Sequence, residues 1–259
     1  MPRLSQLSRS IEGKVALVTG AASGMGRATA HLFADEAARV AVTDVNGAGA
    51  DAVAKEISQA GGEAEAHALD VSNPDDVQRV VDAVVQRFGG LDILVNNAGI
   101  SRMAPVSVDG YLEAWEQTLA VNLTGEMLMI RACLPHLQQG GAGRIVNIAS
   151  TEGVGASAMA SPYTASKHGV VGLTRSLAVE LGSQGVTVNC VCPGPIHTGM
   201  TSLIPDAAKT KFARRRVPLR RYGDPEEVAH ATLSLVLPAS SYINGAVLPV
   251  DGGLTVQNT

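Results

Sequence analysis

Short apolar runs and helix-length amphipathic segments alternate along this chain from one end to the other. Such alternation predicts a parallel sheet covered by helices, because consecutive parallel strands need a crossover connection between them. The predicted strands are Val15–Thr19, Arg39–Asp44, Glu65–Asp70, Leu91–Asn96, Gly143–Ala149, Val186–Val191 and Ala246–Val250. The predicted helices are Gly24–Ala37, Ala48–Gln59, Pro74–Phe88, Tyr111–Gln138, Tyr163–Leu181 and Pro225–Leu237.

The expected fold class is α/β. The predicted strands are nearly continuously apolar, which is typical of strands buried on both faces. We therefore expect a Rossmann-like doubly wound parallel sheet of about seven strands, with ligands beyond the C-terminal ends of the strands. The unbroken alternation over 259 residues predicts an N-terminal tail, 1–12, and a single dinucleotide-binding and catalytic domain, 13–259. A long excursion after the sixth strand predicts a substrate lid over 195–222.

Composition narrows the range of partners. A net charge of -4 gives no electrostatic reason to expect nucleic acid or an anionic membrane. No apolar run approaches the roughly 20 residues that span a bilayer, and the polar N-terminus lacks the apolar segment of a secretory signal. Three cysteines are too few for a disulfide framework, and six scattered histidines predict no metal site. We expect a cytoplasmic protein that acts on a small molecule.

A glycine-rich turn follows the first strand and opens the first helix. It reads Thr19-Gly20-Ala21-Ala22-Ser23-Gly24-Met25-Gly26. Glycines there allow a tight turn and close approach to a pyrophosphate, which then lies at the helix N-terminus. Gly20, Ser23, Gly24, Met25 and Gly26 are therefore candidate cofactor-binding residues.

The end of the second strand indicates which dinucleotide binds. Asp44 lies 18 residues after Gly26, where a carboxylate can accept hydrogen bonds from both hydroxyls of the adenosine ribose and repels a 2′-phosphate. Val45 follows it, and position 23 holds serine rather than arginine, so no basic side chain is placed to meet a phosphate. The sequence favours NAD over NADP.

Tyr163 and Lys167 lie four residues apart on a predicted helix, so their side chains leave the same face. A free phenol has a pKa of about 10, and a nearby ammonium favours the phenolate. Bringing that pKa near 7 requires about 4 kcal/mol of differential stabilisation. The pair is suited to proton exchange at neutral pH.

Together these motifs resemble the short-chain dehydrogenases/reductases, single-domain branch, from about Gly13 to Gly253. The motifs that carry the resemblance occur in the family's order and spacing: Gly20-x-x-x-Gly24-x-Gly26, Asn96-Asn97-Ala98-Gly99, Ser150, Tyr163-x-x-x-Lys167 and Pro193-Gly194. The resemblance implies a homotetramer in which the long helices Tyr111–Gln138 and Tyr163–Leu181 pack against their symmetry mates.

The resemblance also implies residue roles. Tyr163 exchanges the substrate's hydroxyl proton, Ser150 hydrogen-bonds the substrate oxygen, and Lys167 holds the nicotinamide ribose. Asn122 anchors a water that links Lys167 to solvent. Further cofactor contacts are implied for Asp70, Val71, Asn97, Ala98, Gly99, Pro193, Gly194, Ile196 and Thr198.

These expectations describe an NAD(H)-dependent enzyme that interconverts a secondary alcohol and a ketone. One alternative is a carrier-protein-linked 3-ketoacyl reductase, although that activity usually goes with NADPH and Asp44 argues against it. Another is a non-catalytic nucleotide-sensing module, which should lack part of the catalytic set. The basic run Arg214-Arg215-Arg216 is interpreted either as a solvated face or as a clamp for an acidic substrate or an acyl carrier. His197 and Glu152 are interpreted either as solvated side chains or as substrate contacts.

Overall fold

A computed structural model describes residues 4–257, and its centre is one sheet of seven parallel strands. The strand order is β3-β2-β1-β4-β5-β6-β7. This arrangement confirms the predicted doubly wound α/β fold. The strands are β1 (Val15–Thr19), β2 (Arg39–Asp44), β3 (Glu63–Ala68), β4 (Ile93–Asn96), β5 (Arg144–Ile148), β6 (Thr187–Pro193) and β7 (Val247–Val250).

Eight α-helices occur within residues 4–257. They are α1 (Gly24–Asp35), α2 (Gly47–Gln59), α3 (Pro74–Phe88), α4 (Tyr111–Leu119), α5 (Gly125–Leu137), α6 (Ser161–Leu181), α7 (Asp206–Arg216) and α8 (Pro225–Val236). In this part of the chain, we find none with the length and apolar character needed to cross a bilayer.

The sheet is buried on both faces by different helices. Alternate residues of β1 separate into two cores: Ala16 and Val18 pack with α1, α2 and α8, whereas Val15 and Leu17 pack with α3, α5 and α6. This follows from strand geometry, because successive side chains point to opposite faces. From the predicted N-terminal tail, of which residues 1–3 lie outside the described residues, Ile11 enters the first of these cores.

The third predicted strand was wrong by two residues at each end. β3 is Glu63–Ala68 rather than Glu65–Asp70, and its residues pair in register with Arg39–Asp44 of β2. It forms one edge of the sheet and is only half-buried, so its sequence lacks the continuous apolar run that marks the inner strands. Asp70 therefore lies in the loop after the strand.

Two other regions differ from the predicted elements. The predicted helix Tyr111–Gln138 consists of α4 and α5 joined by a wider π-helical turn, Ala120–Thr124. The excursion predicted as a lid contains its own helix, α7, which the sequence interpretation did not include. Its polar composition gave no amphipathic pattern, and only Ala213 is buried.

Candidate active site

The strand order reverses beside β1, because the chain moves to β2 on one side and to β4 on the other. Ligands of doubly wound sheets bind at this switch point, outside the carboxyl ends of the strands. A cleft of about 770 Å³ opens there. It brings together most of the residues predicted to bind the cofactor: Gly20, Ser23, Gly24, Met25, Asp44, Asp70, Val71, Asn97, Ala98, Gly99, Tyr163, Lys167 and Thr198.

The glycine turn needs glycine for two different reasons. Gly20 has a φ of +63°, and a Cβ there would also come within 2.7 Å of Ala98 Cα. Gly26 has no such φ, but its Cβ would lie 2.3 Å from the carbonyl oxygen of Gly20. Within the described residues, Ser23 makes no side-chain cap bond to α1. The first-turn N–H groups of that helix therefore face the cleft without a side-chain cap.

Asn97 secures this turn from the end of β4. Its side-chain amide donates to the carbonyl oxygens of Thr19 at 2.9 Å and Gly20 at 3.0 Å. The Thr19 hydroxyl oxygen accepts from the backbone N–H groups of Asn97 and Ala98. Asn97 thus lines the cleft while its amide donors hold the glycine turn in place, and its contact with the cofactor stays a prediction.

Asp44 ends β2 at the rim of the cleft. Its Oδ2 accepts from Ala22 N at 3.0 Å and its Oδ1 accepts from Asn46 N at 2.8 Å. These bonds fix the carboxylate beside the glycine turn. The neighbouring Val45 side chain is 77% exposed, so the rim carries one fixed carboxylate next to an apolar residue.

Asp70 and Val71 lie in the loop after β3, beside the end of β2, where the Leu69 N–H donates to the Asp44 backbone carbonyl oxygen at 2.9 Å. The Asp70 carboxylate accepts from the backbone N–H and hydroxyl of Ser72, and Val71 is buried against Gly125 at the start of α5. A Cβ at Gly125 would come within 2.8 Å of the Val71 side chain. The loop after β3 is therefore packed closely against α5.

Lys167 and Tyr163 extend from the first turns of α6 into the cleft. Lys167 is buried, and its Nζ donates to the carbonyl oxygen of Ile148 at 2.7 Å. The same Nζ lies 6.0 Å from the centroid of the Tyr163 ring. Ser150 follows β5, and its hydroxyl oxygen accepts from Glu152 N at 3.1 Å. Tyr163 and Lys167, the pair predicted to exchange protons, thus both lie at the C-terminal edge of the sheet.

Asn122 lies in the π-helical turn and is fully buried. Its amide donates to the Ile100 carbonyl oxygen at 2.9 Å and to Ser166 Oγ at 3.1 Å, while its Oδ1 accepts from Ile100 N at 2.8 Å. The wider turn therefore joins the loop after β4 to α6, one residue from Lys167. Turns of this kind occur frequently at functional sites.

The segment after β6 closes the far side of the cleft. Gly194 packs so tightly that a Cβ would lie 2.7 Å from Asp251 Cα, and Ile196 is buried in a bridge to Gly223. The Thr198 methyl group lies next to Gly24. Pro193, Gly194 and Ile196 therefore support the cleft wall from outside the lining, whereas Thr198 contacts the glycine turn.

The side chains whose interpretation was left open, Glu152, His197 and Arg214–Arg216, have defined surroundings. Glu152 accepts hydrogen bonds from the Ser157 backbone N–H and from the hydroxyls of Ser157 and Thr164, so it secures the loop after Ser150. The His197 ring lies 5.2 Å from the ring of Tyr222. Arg214–Arg216 form the exposed last turn of α7, where positive charge is favourable to the helix dipole.

The sequence interpretation missed Glu126, the second residue of α5. It is 3% exposed, and its Oε1 lies 3.6 Å from Lys167 Nζ. Burial raises the pKa of Glu126 to about 8, although the neighbouring Lys167 opposes the rise. The signal was present as an acidic residue within an apolar helix, four positions after Asn122. Over the described residues, we find no cluster of side chains suited to hold a metal.

This fold and cleft define a class of dinucleotide-dependent oxidoreductases. The family described as Enoyl-(Acyl carrier protein) reductase matches residues 20–255. The 3-oxoacyl-(acyl-carrier-protein) reductase FabG of Thermotoga maritima is 42% identical over 246 residues, covering 95% of this chain and 99% of that protein. D-threitol dehydrogenase of Mycolicibacterium smegmatis is 42% identical over 250 residues, covering 95% of each.

A solved structure agrees in fold. A protein from Beutenbergia cavernae that is described as an NAD(P) dependent gluconate 5-dehydrogenase, and that holds NADP at low occupancy, has a TM-score of 0.90 and is 37% identical. The match covers 96% of this chain and 99% of that one. The chain belongs to the short-chain dehydrogenase/reductase family. It is an oxidoreductase of a family that uses a nicotinamide cofactor and acts on CH–OH groups.

Proposed function

We propose that the chain is an NAD(H)-dependent enzyme that interconverts a secondary alcohol and a ketone, with Tyr163 as general acid/base. The observation that carries the proposal is the position of Lys167. Its buried ammonium, fixed by Ile148 O at 2.7 Å, lies 6.0 Å from the Tyr163 ring centroid inside the cleft. A fixed positive charge at that distance stabilises the phenolate relative to the phenol.

In the proposed proton transfer, each of the site side chains has a different role. Tyr163 takes the hydroxyl proton of the alcohol, or returns it to the ketone oxygen in the reverse direction. Ser150 orients the substrate oxygen by a hydrogen bond. Asn122 holds the loop beside Lys167 and supports the passage of protons between Lys167 and solvent. The bound nicotinamide supplies the redox chemistry, by accepting or donating the hydride.

The cleft fits a dinucleotide. A pyrophosphate needs backbone N–H donors at close range, and α1 begins at Gly24 with no side-chain cap bond from Ser23 to its first turn. Gly20, Ser23, Gly24 and Met25 would hold the pyrophosphate at the N-terminus of α1. Lys167 would hold the nicotinamide ribose.

The preference for NAD rests on Asp44. Its carboxylate is fixed by two backbone N–H groups, so it cannot turn away from a group placed against it. A 2′-phosphate would meet this charge next to the exposed Val45, whereas the free ribose hydroxyls can donate to it. Related proteins differ in this respect, since the structure from Beutenbergia cavernae holds NADP. We therefore expect NAD(H) to bind at least about tenfold more tightly.

A 3-ketoacyl reductase with a carrier-bound substrate is the second candidate. Two observations favour it: the 42% identity to FabG of Thermotoga maritima, and the exposed basic turn Arg214–Arg216, which suits an acidic carrier. Asp44 opposes it, because that reaction usually uses NADPH. The nucleotide-sensing module is the weaker alternative, since Ser150, Tyr163 and Lys167 are all present.

The test is a turnover screen in which the absorbance of the reduced cofactor is measured. Cyclic, aryl, steroidal and sugar-derived alcohols are offered with NAD⁺, and 3-ketoacyl thioesters, free and carrier-bound, are offered with NADH and NADPH. The proposal expects turnover of a small alcohol with NAD⁺. Efficient reduction of carrier-bound thioesters alone, with NADPH, would replace it by the second candidate. An absence of turnover with every substrate, despite NAD binding, would favour the sensing module.

We also propose that the chain assembles as a homotetramer through α4, α5 and α6, and that residues 195–222 act as a lid over the substrate. On α6, the Val179 side chain is 86% exposed, and a Cβ at Gly172 would meet no other described atom within 4 Å. Leu112 of α4 is 73% exposed. Exposed apolar side chains on long helices suit a helix-to-helix interface. The cytoplasmic location stays a prediction.

A further inference from the structure

Glu126 is a buried acid that the proposed proton transfer does not use. It is 3% exposed, and neither carboxylate oxygen has a hydrogen-bond partner among the described residues. A buried carboxylate without hydrogen bonds is costly, so natural proteins rarely keep one unless it has a partner or a task. Its nearest opposite charge is the ammonium of Lys167, 3.6 Å away.

When Glu126 is ionised, the two groups form an ion pair inside the protein. Lys167 Nζ lies between two acceptors, since it donates to Ile148 O at 2.7 Å and faces Glu126 Oε1 at 3.6 Å. The second distance is too long for a good hydrogen bond, so the attraction is mainly electrostatic. With little water to screen it, the carboxylate opposes the positive field of Lys167 in every direction, including towards Tyr163.

We infer that Glu126 is a positioning residue that holds Lys167 and limits how strongly Lys167 favours the ionised form of Tyr163. The inference rests on the proposed function, because it concerns the acid/base of that reaction. Glu126 does not reach the cleft lining, so it acts through Lys167 and not on the substrate.

The charge on Glu126 changes in the range where the enzyme is expected to work. Burial raises the pKa of Glu126 to about 8. Below that pH the carboxyl group is mostly neutral and Lys167 acts on Tyr163 without opposition. Above it, the carboxylate opposes the formation of a second negative charge nearby.

Among the described residues, Cys190 and Cys192 on β6 also interact with this pair. Cys190 and Cys192 are buried with their sulfur atoms 3.9 Å apart, and Asp251, after β7, lies near Cys192. The contact with Cys192 and burial both raise the pKa of Cys190, which keeps that thiol neutral. The contact with Cys190 lowers the pKa of Cys192, although burial opposes the fall, so Glu126 and Cys192 can both change charge near Lys167, and only variants of Glu126 itself isolate its contribution.

The experiment compares two neutral variants with two controls. Glu126→Gln and Glu126→Met remove the charge, and Glu126→Asp keeps it. Glu180→Gln makes the same change at an exposed position on α6, about 20 Å along that helix from Lys167. Ionisation of Tyr163 is followed in the cofactor-free protein by tyrosinate absorbance, as the difference between each protein and its Tyr163→Phe counterpart. Alcohol oxidation is then measured against pH with saturating NAD⁺.

Above pH 8, where Glu126 is ionised in the native protein, both neutral variants should ionise Tyr163 more readily, by roughly 0.5 to 1 pH unit, and their oxidation profiles should shift by the same amount there; well below pH 8 they should match the native protein. Glu126→Asp should stay closer to the native protein, and Glu180→Gln should match it. Glutamine and methionine differ in chemistry, so if one neutral variant folds poorly, the other still tests the inference.

An unchanged titration above pH 8 in a folded neutral variant would overturn the inference, as would a shift to higher pH or an equal shift in Glu180→Gln. These outcomes are separable from failure of the proposed function. If Tyr163→Phe alone keeps its turnover, the proposed acid/base is wrong. If Tyr163→Phe is inactive while the Glu126 variants titrate like the native protein, only this inference fails.

Discussion

Replacing Asn122 by alanine should reduce both the stability of the fold and the turnover of the enzyme. Asn122 is fully buried and makes three hydrogen bonds, two to the backbone of Ile100 and one to Ser166. Each such bond contributes about 1 kcal/mol net, and the substitution leaves the Ile100 groups without their partner. We expect a loss of about 3 kcal/mol in the free energy of unfolding.

That loss corresponds to a fall of roughly 6–12 °C in Tm for a chain of this size. Turnover per folded molecule should fall at least about tenfold, because the loop after β4 and Lys167 lose their shared support. Scanning calorimetry measures the first effect, and steady-state kinetics well below Tm measures the second.

Asn189→Ala is the matched control. Asn189 is also fully buried, and its amide joins β6 to the segment before β7 through bonds with Ile243 O and Ala246 N. It lies outside the cleft lining, so this variant should lose about 2 kcal/mol of stability and keep native turnover. If Asn122→Ala also keeps native turnover after a similar loss of stability, Asn122 has only a structural role and our reasoning is refuted.

Three further predictions concern the cofactor and the assembly. Asp44→Asn should reduce the ratio of NAD affinity to NADP affinity, measured by titration calorimetry, by a larger factor than it reduces turnover with NAD. Equal affinities of the native protein for NAD and NADP would contradict the role assigned to Asp44. Gly20→Ala should abolish cofactor binding, because its Cβ would lie 2.7 Å from Ala98 Cα at a φ of +63°; native affinity in a folded variant would show that the turn adapts. Light scattering at micromolar concentration should report a tetramer that Val179→Glu dissociates, and a native monomer would refute the assembly.

The order of the elements could be predicted because it depends on patterns that the whole chain repeats. Inner strands such as β1 are buried on both faces, and this requirement leaves an unbroken apolar run in the sequence. β3 lies at an edge of the sheet, where a sequence that alternates polar and apolar residues is sufficient for packing. It therefore carries no unbroken apolar run, and its predicted bounds were wrong. The helix α7 packs through a single buried alanine, so no amphipathic stripe marked it.

The site residues also separate into those that local sequence patterns predict and those that only the packing of helices brings together. Glycines at positions 20, 24 and 26 and the four-residue spacing of Tyr163 and Lys167 are local patterns, and the cleft contains all of them except Gly26 in its lining. The contact between Glu126 and Lys167 joins residues 41 positions apart, on helices brought together by packing. Periodicity along one helix carries no information on which side chain of another helix will face it.

The central claim is that Tyr163 exchanges the substrate proton under the influence of Lys167, and Tyr163→Phe tests it most directly. The change removes the phenolic oxygen and keeps the ring, so folding and NAD binding should persist while turnover falls by 10²–10⁴-fold. The exposed Tyr242→Phe is the control for loss of a phenol and should keep native turnover.

The pH dependence of turnover tests the same claim through the direction in which turnover changes. Alcohol oxidation by the native enzyme should rise with pH as the phenolate of Tyr163 forms, and the remaining activity of Lys167→Ala should rise only at higher pH. Near-native turnover by Tyr163→Phe on a verified substrate would contradict the account.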